Sequence, residues 1–309
     1  MNASRGVVIG GGGLFLRDTN PNDLSGWQWS CSVSDLAQIE VPIIVTAVGY
    51  NRFRGQPDFA PVFRDHLQLL VEKSAFIGIR NNGSIQALRT YLPEDLWSKV
   101  ELQPCYTTVL SDLYPTEIEA LPPNPEWTVG FNCAFDREDL RYGERRDEIL
   151  SAIAEAAKQL STDFPIRYLS HSDTDEKMLP YLDAAEVPYR CIRMNWMSPK
   201  DIMRCYGSPM LTIGMRGHSQ MIPAGLLRPI ISVASHEKMW YFLQDIGATE
   251  WGVETSDTDL TAVLVGKARS LLGSWDETQN RLKEIERSNF RITQRNLAKI
   301  EQALGLGAV

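Results

Sequence analysis

The chain has 309 residues, 43% of them hydrophobic, and carries a net charge of −8 from 31 basic and 39 acidic residues. A chain of this length buries a substantial core and is more typical of two domains than of one. Its acidic balance and the lack of any basic run of about five or more residues remove the electrostatic footprint of a general nucleic-acid binder, so nucleic acid is not an expected partner.

At the start, "MNASRGVVIGGGGLF" holds one basic residue and a short apolar stretch before four glycines, which is not a signal-peptide pattern. Residues 7–9 read as a strand and Gly10 to Gly13 as a loop directly after it, where the missing Cβ lets the backbone approach a ligand closely. Close helix–sheet packing is the alternative use of these glycines. The run fits G-x-G-x-x-G only loosely, and no acidic residue ends a second strand about 20 residues on, so a dinucleotide is not expected. Trp27 and Trp29 follow in a loop, where stacking on a sugar face and ordinary burial both stand as readings. Residues 42–48, 75–79 and 100–102 read as further strands, with helices over 61–73 and 84–91.

Prolines 122, 123 and 125 in "EALPPNPEW" break regular structure and mark an interdomain linker. A strand over 128–131 follows, and then an amphipathic helix with Ile149, Ile153, Ala156, Ala157 and Leu160 on one face. Strands 166–169, 189–192, 211–214 and 230–233 alternate with helices 177–185, 198–205 and 220–226, and residues 258–304 are almost wholly helical. The expected architecture is α/β: two Rossmann-like domains facing a cleft, residues 1–121 and 126–257, with C-terminal helices over 258–309 packing back on them. No stretch approaches about 18 uninterrupted apolar residues, so no membrane span is expected. Cys31, Cys105, Cys133, Cys191 and Cys205 are widely spaced and contain no Cys-x-x-Cys pair, which suits reduced thiols in a cytoplasmic protein.

The chemistry concentrates in "LTIGMRGHSQMIPAGLLRPIISVASHEKMWYFL", where an apolar strand ends on Arg216, Gly217 and His218 and continues at once as a helix. A cation and an imidazole at the carboxyl end of a strand build a pocket for an anion in α/β proteins. His218 alone reads more simply as a hydrogen-bonded structural residue. Arg216 two residues before it, a helix N-terminus after it and Lys238 beyond the next strand bring several positive groups toward one anion. "LSHSDTDEKML" adds His171, Asp173 and Asp175 after another strand; a helix N-cap at Ser170 or Asp173 is a simpler account than a metal site, and no metal is expected. His66 and His236 receive no role.

Taken together, "GGGGLF", "GIRNNGS" and the late block resemble the polysaccharide pyruvyl transferases, whose late pattern is Arg-x-His followed by Ala, Gly, Pro, a strand and Lys. "VGYNRFRG" over 48–55 is also similar to a segment of bacterial members. The resemblance implies a glycosyltransferase-B-like fold and transfer of an enolpyruvate unit from phosphoenolpyruvate to a sugar as a cyclic ketal, in building a cell-surface or exopolysaccharide precursor. It implies that His218 is the general acid, that Arg216 grips phosphate or carboxylate, and that Arg80 reaches the donor from the first domain. Buried ion-pair duty is the alternative for Arg216, and a solvated helix-start lysine is the alternative to a phosphate partner for Lys238. His171 would line the donor pocket, Gly11 and Gly12 would contact substrate, and Ser84 would cap the helix after Arg80.

Two departures stand out. Gly217 occupies the position where relatives carry leucine, and the opening strand and Asn-Gly-Asp loop usual before the glycine motif are absent. The expectation is an exposed sheet edge or apolar face near the glycine run. Expected partners are phosphoenolpyruvate and a glycan or lipid-linked sugar acceptor, with no cofactor besides the donor, in the cytoplasm or at the inner face of the membrane. A nucleotide-sugar glycosyltransferase of the same fold, with Glu237 or Glu250 on the ribose, and a non-catalytic carbohydrate-binding relative are the competing readings.

Overall fold

The computed structural model describes residues 1–116 and 126–307, so the proline-rich linker expected at 122–125 lies outside the described residues. By contacts the chain forms two compact units, Met1–Tyr106 with Ser288–Val309, and Thr107–Arg287. The division falls after Tyr106, ahead of the proline run, because Leu110 is buried in an apolar cluster with Leu169, Met194, Met203, Tyr206 and Leu226 of the second unit. The terminal helices are shared between the units: Leu260–Gly273 belongs to the second, and Trp275–Ala303 begins in the second and ends in the first.

The first unit is a parallel sheet in sequential order, β1 (Val7–Phe15), β2 (Ile43–Tyr50), β3 (Ser74–Ile79) and β4 (Val100–Leu102). Every residue of β2 is buried, as expected for a parallel strand covered on both faces. The helix Pro61–Lys73 has the predicted bounds, with proline at its start presetting φ, and buries Phe63, Leu67, Leu70 and Val71. The next helix, Asn82–Arg89, starts earlier than the sequence suggests because Asn81 caps it, its Oδ1 accepting the Ser84 N–H at 2.7 Å. Ser84 lies inside the helix, and its Oγ accepts the Tyr50 N–H at 3.0 Å, tying the helix to the end of β2.

The glycine run is not a loop after β1 but part of it. Gly11 and Gly12 adopt left-handed φ values of 67° and 95°, and the pairing register with β2 shifts between Gly12 and Phe15. β1 is an edge strand, and Val8 on it is 57% exposed. Trp27 is wholly buried against Phe15 and donates its indole N–H to His66 Nδ1 at 3.1 Å, so it belongs to the core and not to a sugar platform. Burial holds His66 down at about 4, which suits a neutral acceptor. At the opposite edge, the end of the helix Trp275–Ala303 secures β4: Asn296 Nδ2 donates to the Leu102 carbonyl at 2.8 Å, and Lys299 pairs with Glu101 at 2.6 Å.

The second unit is a six-stranded parallel sheet in the order β10-β9-β8-β5-β6-β7. Its strands are β5 (Glu126–Asn132), β6 (Ile166–Ser170), β7 (Tyr189–Arg193), β8 (Pro209–Gly214), β9 (Ile230–Ala234) and β10 (Gly252–Glu254). The chain winds outward from β5 through β6 to β7, then returns to lay β8, β9 and β10 on the other side. The order reverses between β5 and β8, and ligands of open α/β sheets bind at the carboxyl ends beside such a reversal. The helix Arg146–Leu160 buries the predicted apolar stripe, and Thr261 of the helix Leu260–Gly273 donates to its Ala152 carbonyl at 2.9 Å. The helix after β8 runs His218–Gly225, so His218 lies in its first turn and not on the strand end. Among the described residues no helix is long and apolar enough to cross a membrane.

On the helix Trp275–Ala303, the buried Glu286 accepts the Ser111 hydroxyl; burial first, and then nearby Asp112, push its carboxyl up to about 7. A folded-state value above the unfolded one favours the protonated carboxyl, so this contribution to stability is full below about pH 4 and is lost as pH rises through about 7. Glu286→Gln is expected to raise the melting temperature by a few degrees at pH 8 and by much less at pH 4. An equal shift at both pH values in scanning calorimetry contradicts this.

Candidate functional site

Side chains that follow the carboxyl ends of β5, β6, β8 and β9 gather around two aspartates. Arg216, after β8, grips Asp175 with Nε on Oδ2 at 2.9 Å and Nη2 on Oδ1 at 2.5 Å. Its Nη1 lies 3.3 Å from Asp136, which follows β5. Asp175 is wholly buried and also accepts the His171 N–H at 3.0 Å and Asn132 Nδ2 at 3.4 Å. Asn132, the last residue of β5, donates to the Leu169 carbonyl of β6 at 2.8 Å and accepts the Arg216 N–H at 3.3 Å. Three strand ends are thereby pinned by one small polar network. Burial alone would lower the Arg216 pKa, but the hydrogen bonds and charge of Asp175 outweigh it and raise the value. The buried ion pair that stood as the alternative role for Arg216 is thus present, and it engages two of the three guanidinium nitrogens.

Asp136 is the second focus. Arg141 Nη2 lies 2.9 Å from both its oxygens, Arg137 Nη1 lies at 3.0 Å, and Arg216 and Lys238 act on it as well. Burial pushes this carboxyl up, yet Arg141, Arg216 and Lys238 pull harder and leave it below the ordinary carboxylate value. Arg141 Nη1 donates to Ser235 Oγ after β9 at 2.8 Å; burial lowers its own pKa despite Asp136. Arg137 has φ 58°, a left-handed conformation that costs a non-glycine residue about 1–3 kcal/mol and that clusters at functional sites. Lys238 is half-buried in the first turn of the helix Glu237–Asp245.

His218 is exposed in the first turn of its helix. His171 shares a hydrogen bond between Nε2 and the Tyr206 hydroxyl; burial first, then Arg216 and His218, hold its pKa down at about 4 against the opposing charge of Asp175. It is therefore a neutral imidazole at pH 7. His171, Asp173 and Asp175 point to different partners, Asp173 accepting from Asn195 at 2.8 Å, and no metal-holding group of such side chains occurs among the described residues. Ser172, not Ser170 or Asp173, occupies the cap position of the short 3₁₀ helix Asp173–Met178.

Arg80, Gly11 and Gly12 belong to the first unit. Arg80 follows β3 and is 8% exposed, and its Nε has no hydrogen-bond partner among the described residues. The guanidinium lies so close to Gly49 of β2 that any Cβ there would collide with Nε. Burial lowers the Arg80 pKa, opposed only by Cys105. A buried cation without a carboxylate is expensive, which makes Arg80 a donor suited to an anionic ligand. Around the Cβ positions of Gly11 and Gly12 the space is open. The sequence reading missed Asp136, Arg137 and Arg141; the signal was the charge-rich "FDREDLRY" directly after the first strand of the second Rossmann-like unit.

Because Asp175 satisfies an arginine held in the sheet, Asp175→Asn leaves a mostly buried guanidinium half-compensated. Removing one partner of such a pair costs about 3–5 kcal/mol, and the lower end is expected since Arg216 retains some exposure. Urea denaturation reads this directly, and a loss under about 1 kcal/mol contradicts the network's structural role.

No curated protein sequence matches the chain. Among solved structures, a co-structure of Staphylococcus aureus MnaA with UDP superposes with a TM-score of 0.56 at 13% identity, covering 98% of this chain and 76% of that one. A putative UDP-N-acetylglucosamine 2-epimerase from Listeria monocytogenes gives 0.56 at 13% identity, covering 87% and 70%. A glycosyltransferase from Rickettsia africae gives 0.52 at 14%, covering 85% and 71%. These likenesses establish the glycosyltransferase-B-like fold and nothing finer. The family model described as polysaccharide pyruvyl transferase matches residues 2–237, a span that takes in the glycine run, Arg80, the Asp136 and Asp175 foci and the Arg216–His218 turn; the chain belongs to that family.

Proposed function

We propose that the protein transfers a pyruvyl group from phosphoenolpyruvate to two hydroxyls of one sugar in a glycan, releasing phosphate. The observation that carries this is the convergence of Arg137, Arg141, Arg216 and Lys238 on the single carboxylate of Asp136 beside the sheet reversal, in a chain whose net charge is −8. So cationic a pocket in an acidic protein favours an anionic ligand. Membership in a family of transferases acting on polysaccharides supplies the acceptor class.

The reaction needs a proton on the methylene carbon of the donor, addition of one sugar hydroxyl to the adjacent carbon, departure of phosphate, and addition of the second hydroxyl to close the ketal. One hydroxyl proton in effect replaces the proton given to carbon, and the other leaves with phosphate, so no redox cofactor is required. His218, exposed at the helix start, is assigned as the acid. Arg216, held rigid by Asp175, and Lys238 counter the donor's charge, and neutral His171 offers a hydrogen bond beside them. In the first unit, Arg80 is assigned to an anionic group of the substrate, and the bare backbone at Gly11 and Gly12 to the acceptor. Among the described residues the five cysteines form no disulfide, which agrees with work in the reducing cytoplasm; engagement of a lipid-linked acceptor at the inner membrane face belongs to the same proposal.

His218→Gln keeps a hydrogen-bond donor of similar size but cannot deliver a proton as imidazolium does. Phosphate release from phosphoenolpyruvate, with a glycan acceptor, is expected to fall about 10²- to 10⁴-fold while donor binding by calorimetry changes little. Arg80→Met should instead weaken substrate binding. Near wild-type turnover by the glutamine variant removes His218 as the acid. Sugar transfer from a nucleotide sugar by the wild type, with no phosphate release, overturns the pyruvyl reading.

A further inference from the structure

The amino ends of the second sheet carry a cavity unlike the site at its carboxyl ends. It measures about 620 Å³ and is lined by Trp127, Met210, Trp275, Asp276 and Glu277, among others. Trp127 is the second residue of β5 and Met210 the second of β8, so from the strand rise of about 3.3 Å per residue the cavity lies roughly 20 Å from Arg216. Trp127 is 60% exposed, and its ring rests on buried Phe164 at 5.3 Å between centroids. An exposed tryptophan held in this way is a rigid apolar plate with an unused indole N–H. The second indole, Trp275, opens the long helix, and the first-turn carboxylates Asp276 and Glu277 line the same cavity.

Among the described residues no cation lines this cavity, whereas four converge on Asp136 at the other end of the sheet. Phosphates, nucleotides and carboxylated ligands are therefore disfavoured here. Indole plates match the C–H faces of a sugar ring, and carboxylates accept its hydroxyls. We infer that the Trp127–Trp275 cavity is a second carbohydrate site that holds an uncharged stretch of glycan away from the reacting residues. The choice of glycan rests on the proposed function, but the binding does not require turnover. A product bearing a new carboxylate would bind this acid-lined cavity less well than the unmodified chain.

The test titrates the full-length protein with neutral hexasaccharides of glucose, galactose and mannose, and with a hexasaccharide of uronic acids, following tryptophan fluorescence and indole N–H resonances. At least one neutral hexasaccharide is expected to bind, with affinity reduced about ten-fold by Trp127→Ala and by Trp275→Ala, and the acidic one to bind more weakly than any neutral ligand. Trp127 is largely exposed, so its variant tests the site even if Trp275→Ala fails to fold. Failure of every neutral hexasaccharide to bind, binding that survives Trp127→Ala, or preference for the uronic acids overturns the inference. Tryptophan-dependent binding by a protein that releases no phosphate would sink the pyruvyl proposal and leave this site standing.

Discussion

The second unit is organised around one buried carboxylate. Asp175 has no solvent exposure and would be intolerable there as a lone charge, yet it receives two guanidinium nitrogens of Arg216, the His171 N–H and the Asn132 amide. Each donor comes from a different strand end, so satisfying Asp175 fixes the ends of β5, β6 and β8 relative to one another. His218 stands two residues beyond Arg216, at the start of a helix. A flexible arginine would pay entropy to meet a ligand; a preorganised one does not.

The electrostatics divide the sheet into two ends. At the carboxyl ends Asp136 is surrounded by cations and held below the ordinary carboxylate value, and His171 is kept neutral by burial and neighbouring charge. At the amino ends the cavity beside Trp127 is aromatic and acidic. The cationic cluster and the aromatic, acidic cavity thus lie at opposite ends of the same strands. In the first unit the buried guanidinium of Arg80 against Gly49 is a separate cationic point, without a carboxylate partner among the described residues.

Much of the architecture was legible because its cause is local. Apolar runs such as "IIVTAV" and "LTIG" can only be buried parallel strands between helices, and the stripe from Ile149 to Leu160 announces its helix. The Arg216–His218 turn stands out in the sequence for the same reason: charge appears where an apolar strand stops. What could not be read depended on partners distant in sequence. The Asp175 pairing joins residues 41 positions apart, and the choice between sugar stacking and burial for Trp27 is decided by His66, 39 positions on, which accepts its N–H. The glycine run reads as a loop from sequence because sequence does not show that β2 continues alongside it as far as Tyr50. The break between units was misplaced because prolines signal a local interruption, whereas the unit boundary is set by which core Leu110 joins.

The central claim is that a pyruvyl ketal is made. Its most direct measurement is proton NMR of the glycan after incubation with the protein and phosphoenolpyruvate labelled with ¹³C at the methylene carbon. The account predicts that the label appears in the glycan as a methyl group on a ketal carbon, bonded through two oxygens to one sugar, and that no label enters when Arg216→Ala replaces the wild type. A glycan that gains no labelled methyl group, while gaining a sugar residue from a nucleotide-sugar donor, would contradict it.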